Sequence, residues 1–170
     1  MKQTDVIVVG AGIAGLMCAH DCVCAGLAVT IVHHGHVEYS SSSSYAQGGI
    51  AAGWSDSDSP QSHAVDTVSV GAGLCEPSVV DFFTNKAPDI IQFLIDLGVP
   101  FDRLQLSDYS LAREGAHTCH RVFHVKDRTG HAMIQTVLNH LNGHPLITWV
   151  NATLNGLIMS EDNAVGVVVN

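Results

Sequence analysis

Gly10-Ala11-Gly12-Ile13-Ala14-Gly15 spaces three glycines as G-x-G-x-x-G. That spacing suits the binding of a pyrophosphate. Gly10 permits a tight turn, Gly12 removes the Cβ that would hold an anion away from the backbone, and Gly15 lets a helix lie close on a sheet. A helix that opens at such a turn offers free N–H groups and a partial positive charge to phosphates. Farther along, Ser40–Ser44 is a run of serines that continues into Tyr45-Ala46-Gln47-Gly48-Gly49. Hydroxyls and successive backbone N–H groups can cradle a pyrophosphate and a sugar chain. Gly48 and Gly49 let the backbone lie flat against a planar ring. The same run has the composition of a solvated linker. A third polar segment, Arg113-Glu114-Gly115-Ala116-His117, holds a carboxylate. Glu114 can meet an ammonium through a charge-assisted hydrogen bond, or form a surface salt bridge with Arg113 or Arg121.

A pyrophosphate turn needs a strand before it and a helix after it. Asp5–Gly10, "DVIVVG", is a short β-branched run closed by glycine, the pattern of a strand buried on both faces. Leu16, Cys18, Ala19, Cys22 and Val23 recur near helical spacing, and Gly26 suits the C-terminal cap. Leu27–His33 reads as a second buried strand, so residues 4–33 make a right-handed βαβ unit. The serine run then falls at the carboxyl end of the sheet, where ligands of such folds bind. That position favours a cradle over a tether. A dinucleotide fingerprint also expects an acid at the end of the second strand, for the ribose. His33 and His34 stand there, with Glu38 a few residues late. Either His34 or a backbone group is left to meet the ribose hydroxyls.

The remaining elements follow from pattern. The candidate ligand loop spans 40–53, and helical spacing resumes over 62–98. Pro77 suits a first helical turn, while Pro88 is expected to separate two helices. Within the polar segment 111–130, Arg121–Val125 reads as a strand. Thr129 is expected to cap a helix from Gly130 to about Leu141, unless Asp127, Thr129 and Gly130 have a more specific role. Leu146–Val150 reads as a third parallel strand and 152–170 as a hairpin with Glu161-Asp162-Asn163 at its tip. The fold class is therefore α/β: a Rossmann-like parallel sheet with a helical insertion and a terminal β-hairpin. The close on Val167-Val168-Val169-Asn170 reads as a domain that is incomplete at its C-terminus.

Composition narrows the function. The chain has 170 residues, 46% hydrophobic and 14% charged, as expected of a folded chain rather than a disordered one. A net charge of -9 repels phosphate backbones and argues against nucleic acid. No apolar run is long enough to cross a bilayer, and no leader pattern is present, so no membrane association is expected. Five Cys without an export signal fit reduced thiols in a cytoplasmic protein. Cys18, Cys22 and Cys24 with His20 offer metal-ligand types, but one helix face packed on a sheet explains them better, so no metal is expected. His33, His34 and His36 suit a loop at a cofactor's edge or in solvent. His120 and His124 would share one side of a strand. His117 either borders a pocket with Glu114 or is structural.

Taken together, "GAGIAGL", "SSSYAQGGIAA" and "LAREGAHTCHRVFHVKDRTG" closely resemble the L-aspartate oxidase family, within the succinate dehydrogenase and fumarate reductase flavoprotein superfamily. The resemblance covers essentially the whole chain. It implies FAD as the dinucleotide, on a glutathione-reductase-type Rossmann domain whose capping and C-terminal helical domains lie outside these residues. It places Gly10, Gly12, Ala14 and Gly15 on the pyrophosphate side; Ile13, within the same turn, and His34, a candidate for the ribose, complete the expected cofactor-binding set there. Ser42, Ser43, Ser44, Tyr45, Ala46, Gln47, Gly48 and Gly49 fall on the flavin side. Relatives with covalent flavin carry a His five residues before the Gln of Q-G-G. Ser42 stands there, which implies noncovalent FAD. Glu114 lies where the dehydrogenases have an F-G-G-Q-like segment, and the resemblance gives it the orientation of L-aspartate. The family's catalytic Arg lies beyond this chain. The implied activity is oxidation of L-aspartate to iminoaspartate with O2 or fumarate as acceptor, feeding quinolinate and NAD biosynthesis, with quinolinate synthase as a possible partner. These residues alone are expected to be inactive. The alternatives are a fumarate reductase or succinate dehydrogenase-like flavoprotein subunit, and a non-catalytic truncated FAD-binding segment. Two departures stand out: Ala112 replaces the family's Thr, and His34 replaces a common Lys.

Overall fold

A computed structural model describes residues 3–105 and 108–170. Two compact units divide the chain: Met1–Tyr45 with Met133–Asn170, and Ala46–Ala132.

In the first unit, β1 (Val6–Val9), β2 (Val29–His33) and β6 (Ile147–Asn151) form a parallel sheet in the order β1-β2-β6. Val9 lies opposite Val32, and Val32 opposite Val150. Leu16, Ala19, Val29, Ile31, Ile134, Val137 and Leu141 are fully or almost fully buried. The first two belong to α1 (Ile13–Cys24), the last three to α4 (Thr129–Leu141). The helix-strand alternation of the sequence thus becomes helices packed on a parallel sheet, as the βαβ reading requires. One expectation is corrected. β1 is not buried on both faces: Val8 is 8% exposed but Ile7 is 37% and Val9 47%, so among the described residues only one face of the strand is covered.

α1 ends as its sequence dictates. Gly26 has φ +80°, its N–H reaches the Val23 carbonyl, and the Leu27 N–H reaches the Cys22 carbonyl. This paired closure needs a left-handed residue, which glycine supplies without a Cβ clash. At the far end, β7 (Leu154–Ser160) and β8 (Asn163–Val169) form the expected hairpin. Its tip is one residue tighter than expected, since Asn163 pairs with Ser160.

In the second unit, α2 (Pro60–Val70) starts at Ser59, whose hydroxyl accepts the Ser62 N–H at 3.0 Å. α3 (Pro77–Leu97) corrects a second expectation: it runs unbroken through Pro88. Proline there removes one donor to the Thr84 carbonyl. The burial of Thr84, Ile91 and Leu94 along one face holds the helix together despite that loss. β3 (Ile50–Ala51), β5 (Val122–Phe123) and β4 (Leu111–Ala112) form a short antiparallel sheet. Phe123 is fully buried, with Trp54, Phe101 and Tyr109 ring centroids 5.3–5.4 Å away. The strand expected over Arg121–Val125 is only these two residues long. His120 and His124 therefore do not share a strand face: His120 Nδ1 lies 3.1 Å from the Leu111 carbonyl, and His124 Nδ1 lies 3.2 Å from an Asp102 carboxylate oxygen.

Replacing Pro88 with Ala restores a donor in the helix interior. The variant is expected to be more stable by about 1–3 kcal/mol in denaturant unfolding. A lower midpoint would show that α3 needs the proline's shape.

Candidate functional site

The glycine turn lies in the first unit. A Cβ on Gly15 would sit 2.0 Å from the Gly10 carbonyl oxygen, so only glycine lets α1 start this close to the end of β1. On Gly12 a Cβ would meet only Ser43 Oγ, at 3.4 Å, and Ser41 Cβ, at 3.7 Å. Its absence keeps open a cleft of about 260 Å³, lined by Gly10, Ala11, Gly12, His33, His34, Val37, Ser40 and Ser41.

The serine run is folded rather than loose. Ser42–Tyr45 forms one turn of 3-10 helix, Ser41 and Ser44 share a 2.9 Å hydroxyl contact, and Ser44 is buried. Ser43 Oγ accepts the Ile13 N–H at 3.3 Å and so closes on the start of α1. A helix leaves its first four N–H groups without intrahelical acceptors. Here they belong to Gly12, Ile13, Ala14 and Gly15, since the Leu16 N–H already bonds the Gly12 carbonyl; Ser43 takes that of Ile13, which leaves those of Gly12, Ala14 and Gly15 without an acceptor among the described residues. No acidic side chain stands in the first turn to oppose an anion. His34 is exposed, and its Nδ1 lies 3.3 Å from Thr153 Oγ1; His33 Nδ1 lies 3.1 Å from the Gly35 carbonyl. Cys22 neighbours Cys18 on α1, and burial, with Cys18 second, raises its thiol pKa. Among the described residues no group of three or more His, Cys, Asp or Glu is arranged to hold a metal ion.

The second unit carries the rest of the loop. The Ala46 carbonyl accepts the Gly130 N–H at 3.0 Å. Thr129 is the first residue of α4 rather than its cap, because its hydroxyl accepts the Val125 N–H at 3.0 Å. Gln47, Gly48 and Gly49 are exposed. A Cβ on Gly49 would lie 2.3 Å from the Phe123 carbonyl oxygen, so its close approach to β5 accounts for that glycine; Gly48 faces open space.

Glu114 is exposed on the loop between β4 and β5, and it is in none of the ion pairs formed by the described residues. Arg121, one of its expected partners, is otherwise engaged. Its side chain is 0% exposed, Nε and Nη2 bond the Asp58 carboxylate at 2.9 and 2.8 Å, and Nη1 bonds Asp66 at 2.7 Å. Ser62 Oγ accepts a further bond at 3.1 Å. Burial alone would lower the Arg121 pKa, but the bonds and charges of both aspartates outweigh it and the net direction is up. Asp66 also accepts the Thr118 N–H at 2.8 Å and the Thr118 hydroxyl at 2.9 Å. The Thr118 N–H is the largest cause that lowers the Asp66 pKa; burial opposes it, and the Thr118 hydroxyl and Arg121 assist. This network went unread in the sequence. Its signals were a charged residue leading into the apolar pair Val122-Phe123, and an aspartate within an otherwise helical apolar pattern.

A parallel sheet, a glycine turn that opens a helix, and a hydroxyl turn closed on that helix define an α/β dinucleotide-binding fold. The chain belongs to the FAD binding domain family, which matches residues 5–170. It is 39% identical over 169 residues to an L-aspartate oxidase of Vibrio cholerae, covering 96% of this chain and 31% of that protein. It is 42% identical over 146 residues to one of Synechocystis, covering 85% of this chain and 26% of that protein. The chain thus spans under a third of the length of these curated relatives. Among solved structures, E. coli quinol fumarate reductase matches with TM-score 0.92 and 29% identity, over 99% of this chain and 29% of that one. The Sdh1 complex of Mycobacterium smegmatis matches with TM-score 0.87 and 28% identity, over 98% of this chain and 30% of that one. The expected fold class stands, and FAD is the cofactor that the family indicates. The cradle of the first unit fits it: an open cleft at Gly12, unbonded helix N–H groups and no acid in the first turn. Among the described residues no helix is long and apolar enough to cross a membrane.

Arg121→Leu leaves two carboxylates facing an apolar stub and is expected to cost about 3–5 kcal/mol in denaturant unfolding. Acid is expected to destabilise the chain in two windows. Burial first, then Arg121 and His117, holds the His63 pKa below its usual 6.5. As pH falls from 6.5 toward the folded value, the unfolded state takes up the proton first and stability declines. The contribution of Asp66 is present above 3.8 and is lost as pH falls through its lowered folded value. Unfolding midpoints measured against pH should show both declines; a flat profile between pH 6.5 and the carboxylate range would contradict the neutral His63.

Proposed function

We propose that this chain is the FAD-binding part of an L-aspartate oxidase, which takes L-aspartate to iminoaspartate with O2 or fumarate as the electron acceptor. FAD, when bound, supplies the hydride acceptor. The N–H groups of Ala14 and Gly15 would hold its pyrophosphate, with Gly10, Gly12 and Ile13 shaping the approach. His34 stands at the ribose end. Ser42, Ser43, Ser44, Tyr45, Ala46, Gln47, Gly48 and Gly49 form the flavin loop, and Ser42 gives no histidyl link, so the cofactor is noncovalent.

Glu114 carries the reading. Its carboxylate is exposed, outside every ion pair of the described residues, and set on a turn fastened to α2. An amino-dicarboxylate has an ammonium that such a group meets with a charge-assisted hydrogen bond, worth about 1.5–3 kcal/mol. A substrate without the amine leaves that carboxylate with nothing to bind. The structural likeness to fumarate reductase supports a second reading, a flavoprotein acting on succinate or fumarate. The relatives' names favour the oxidase; our reading adds a place in quinolinate and NAD biosynthesis, beside quinolinate synthase in the cytoplasm.

The test is turnover of the full-length protein on aspartate and on succinate. Aspartate activity is expected, with FAD released intact by denaturant. Glu114→Gln should raise the KM for aspartate about tenfold to a hundredfold while sparing fumarate. Succinate turnover without aspartate turnover would select the second reading. The 170 residues alone should bind FAD weakly and turn over nothing; a yellow, active preparation of them would refute this.

A further inference from the structure

In the second unit, two buried ring nitrogens have no hydrogen-bond partner among the described residues: Nδ1 of His63 and Nδ1 of His117. They belong to one contact. The two rings meet edge to face, with centroids 5.8 Å apart and planes at 88°. Leaving polar nitrogens buried and unbonded costs free energy, so two in one contact call for an explanation.

The neighbours indicate one. His63 lies on α2 one turn before Asp66, and Asp66 holds both the N–H and the hydroxyl of Thr118. His117 precedes Thr118, and its own N–H closes the turn onto the Glu114 carbonyl at 3.0 Å. The Glu114 turn is thus fastened to α2 at two adjacent residues. Thr118 is clamped by a carboxylate. His117, the residue bonded to the Glu114 peptide, is held by ring contact.

The charged and titratable groups around the pair are Arg121, Asp58 and Asp66, with Lys86 of α3 on the same cavity of about 500 Å³ as His63. A proton on His63 adds a cation beside the His117 imidazole and the buried guanidinium.

We propose that the His63–His117 ring pair is a latch that positions Glu114 and thereby sets the preference of the site for an amino-dicarboxylate over a dicarboxylate without the amine. The proposal rests on the reading that Glu114 meets the substrate ammonium. Both histidines are positioning residues, and the latch is closed while His63 is neutral. Burial and Arg121 keep His63 neutral at physiological pH. Protonation opens the ring contact and frees the turn, so aspartate binding weakens at acid pH before the chemistry does.

The experiment uses the full-length FAD-loaded protein. His63→Ala and His117→Ala should each raise the KM for aspartate about tenfold, with kcat within about threefold and the KM for fumarate unchanged. The double variant His63→Phe with His117→Phe keeps an aromatic edge-to-face pair but cannot titrate. It should restore the aspartate KM and abolish its rise at acid pH, which a merely structural role would not do. Alanine variants that keep their flavin absorbance and an unchanged aspartate KM would overturn the latch. If they lose FAD or do not fold, amide exchange of His117 in the unaltered protein decides. Its protection, corrected for intrinsic rate, should fall as the pH is lowered below 6.5, since His63 stays under that value in the folded protein, and protection that is constant down to acid unfolding overturns the proposal. Glu114→Gln separates the two ideas. No change in aspartate KM removes the role of Glu114 itself; a rise there without one in the alanine variants removes only the latch.

Discussion

A guanidinium cannot be taken out of water without partners, and Arg121 is wholly buried. That constraint organises the second unit. Asp58 must face Nε and one Nη, Asp66 the other, and Ser62 must fill the remaining donor. The three partners lie just before α2 and along its first two turns, so the start of that helix is fixed against β5. Asp66 has acceptor capacity left over and spends it on Thr118, which carries the constraint into the loop that holds Glu114. A well-packed apolar cluster of the same volume could be as stable. What the ionic arrangement adds is direction, since a bidentate guanidinium–carboxylate pair fixes the angle at which its two elements meet.

The first unit solves a different problem by removing atoms. Gly15 brings the start of α1 onto the Gly10 carbonyl, and the missing Cβ of Gly12 keeps the cleft open beside Ser41 and Ser43. Ser43 then takes the first N–H of α1 and leaves the next two. A serine run that has the composition of a tether becomes part of the helix start, because its hydroxyls have both each other and a helix N–H to bond.

Where local chemistry decides the structure, the sequence was readable. The glycine turn, the Gly26 closure, the parallel strand over Ile147–Asn151 and the terminal hairpin depend on neighbours in sequence or on runs of apolar residues. Where distant partners decide, it was not. Pro88 looked like a break because local propensity ignores the buried face that holds α3 together. β1 looked buried on both faces because composition reports apolarity, whereas covering a face depends on which elements pack on it. Arg121 looked available to Glu114 because its true partners lie more than fifty residues upstream. The histidines of the polar segment diverged in the same way: His124 went to Asp102, His120 to the Leu111 carbonyl, and His117 to a ring on another element.

The distribution of charge ties the two units to one logic. The chain has seven Lys and Arg against sixteen Asp and Glu. Apart from Lys2, every one of those cations lies between Lys86 and Arg128, so the described residues of the first unit contain no Lys or Arg. Yet that unit holds the glycine turn. An anion recognised there has to be met by backbone N–H groups and the positive end of α1, with His33 and His34 as the only ionisable side chains on the cleft. Backbone donors do not titrate or change rotamer, and they are not screened as exposed side-chain charges are. The second unit spends its one buried cation on internal geometry and presents a bare carboxylate. Neutral backbone donors at the glycine turn, and an exposed carboxylate outside every ion pair of the described residues, are how a chain this acidic can offer one group to an anion and another to a cation.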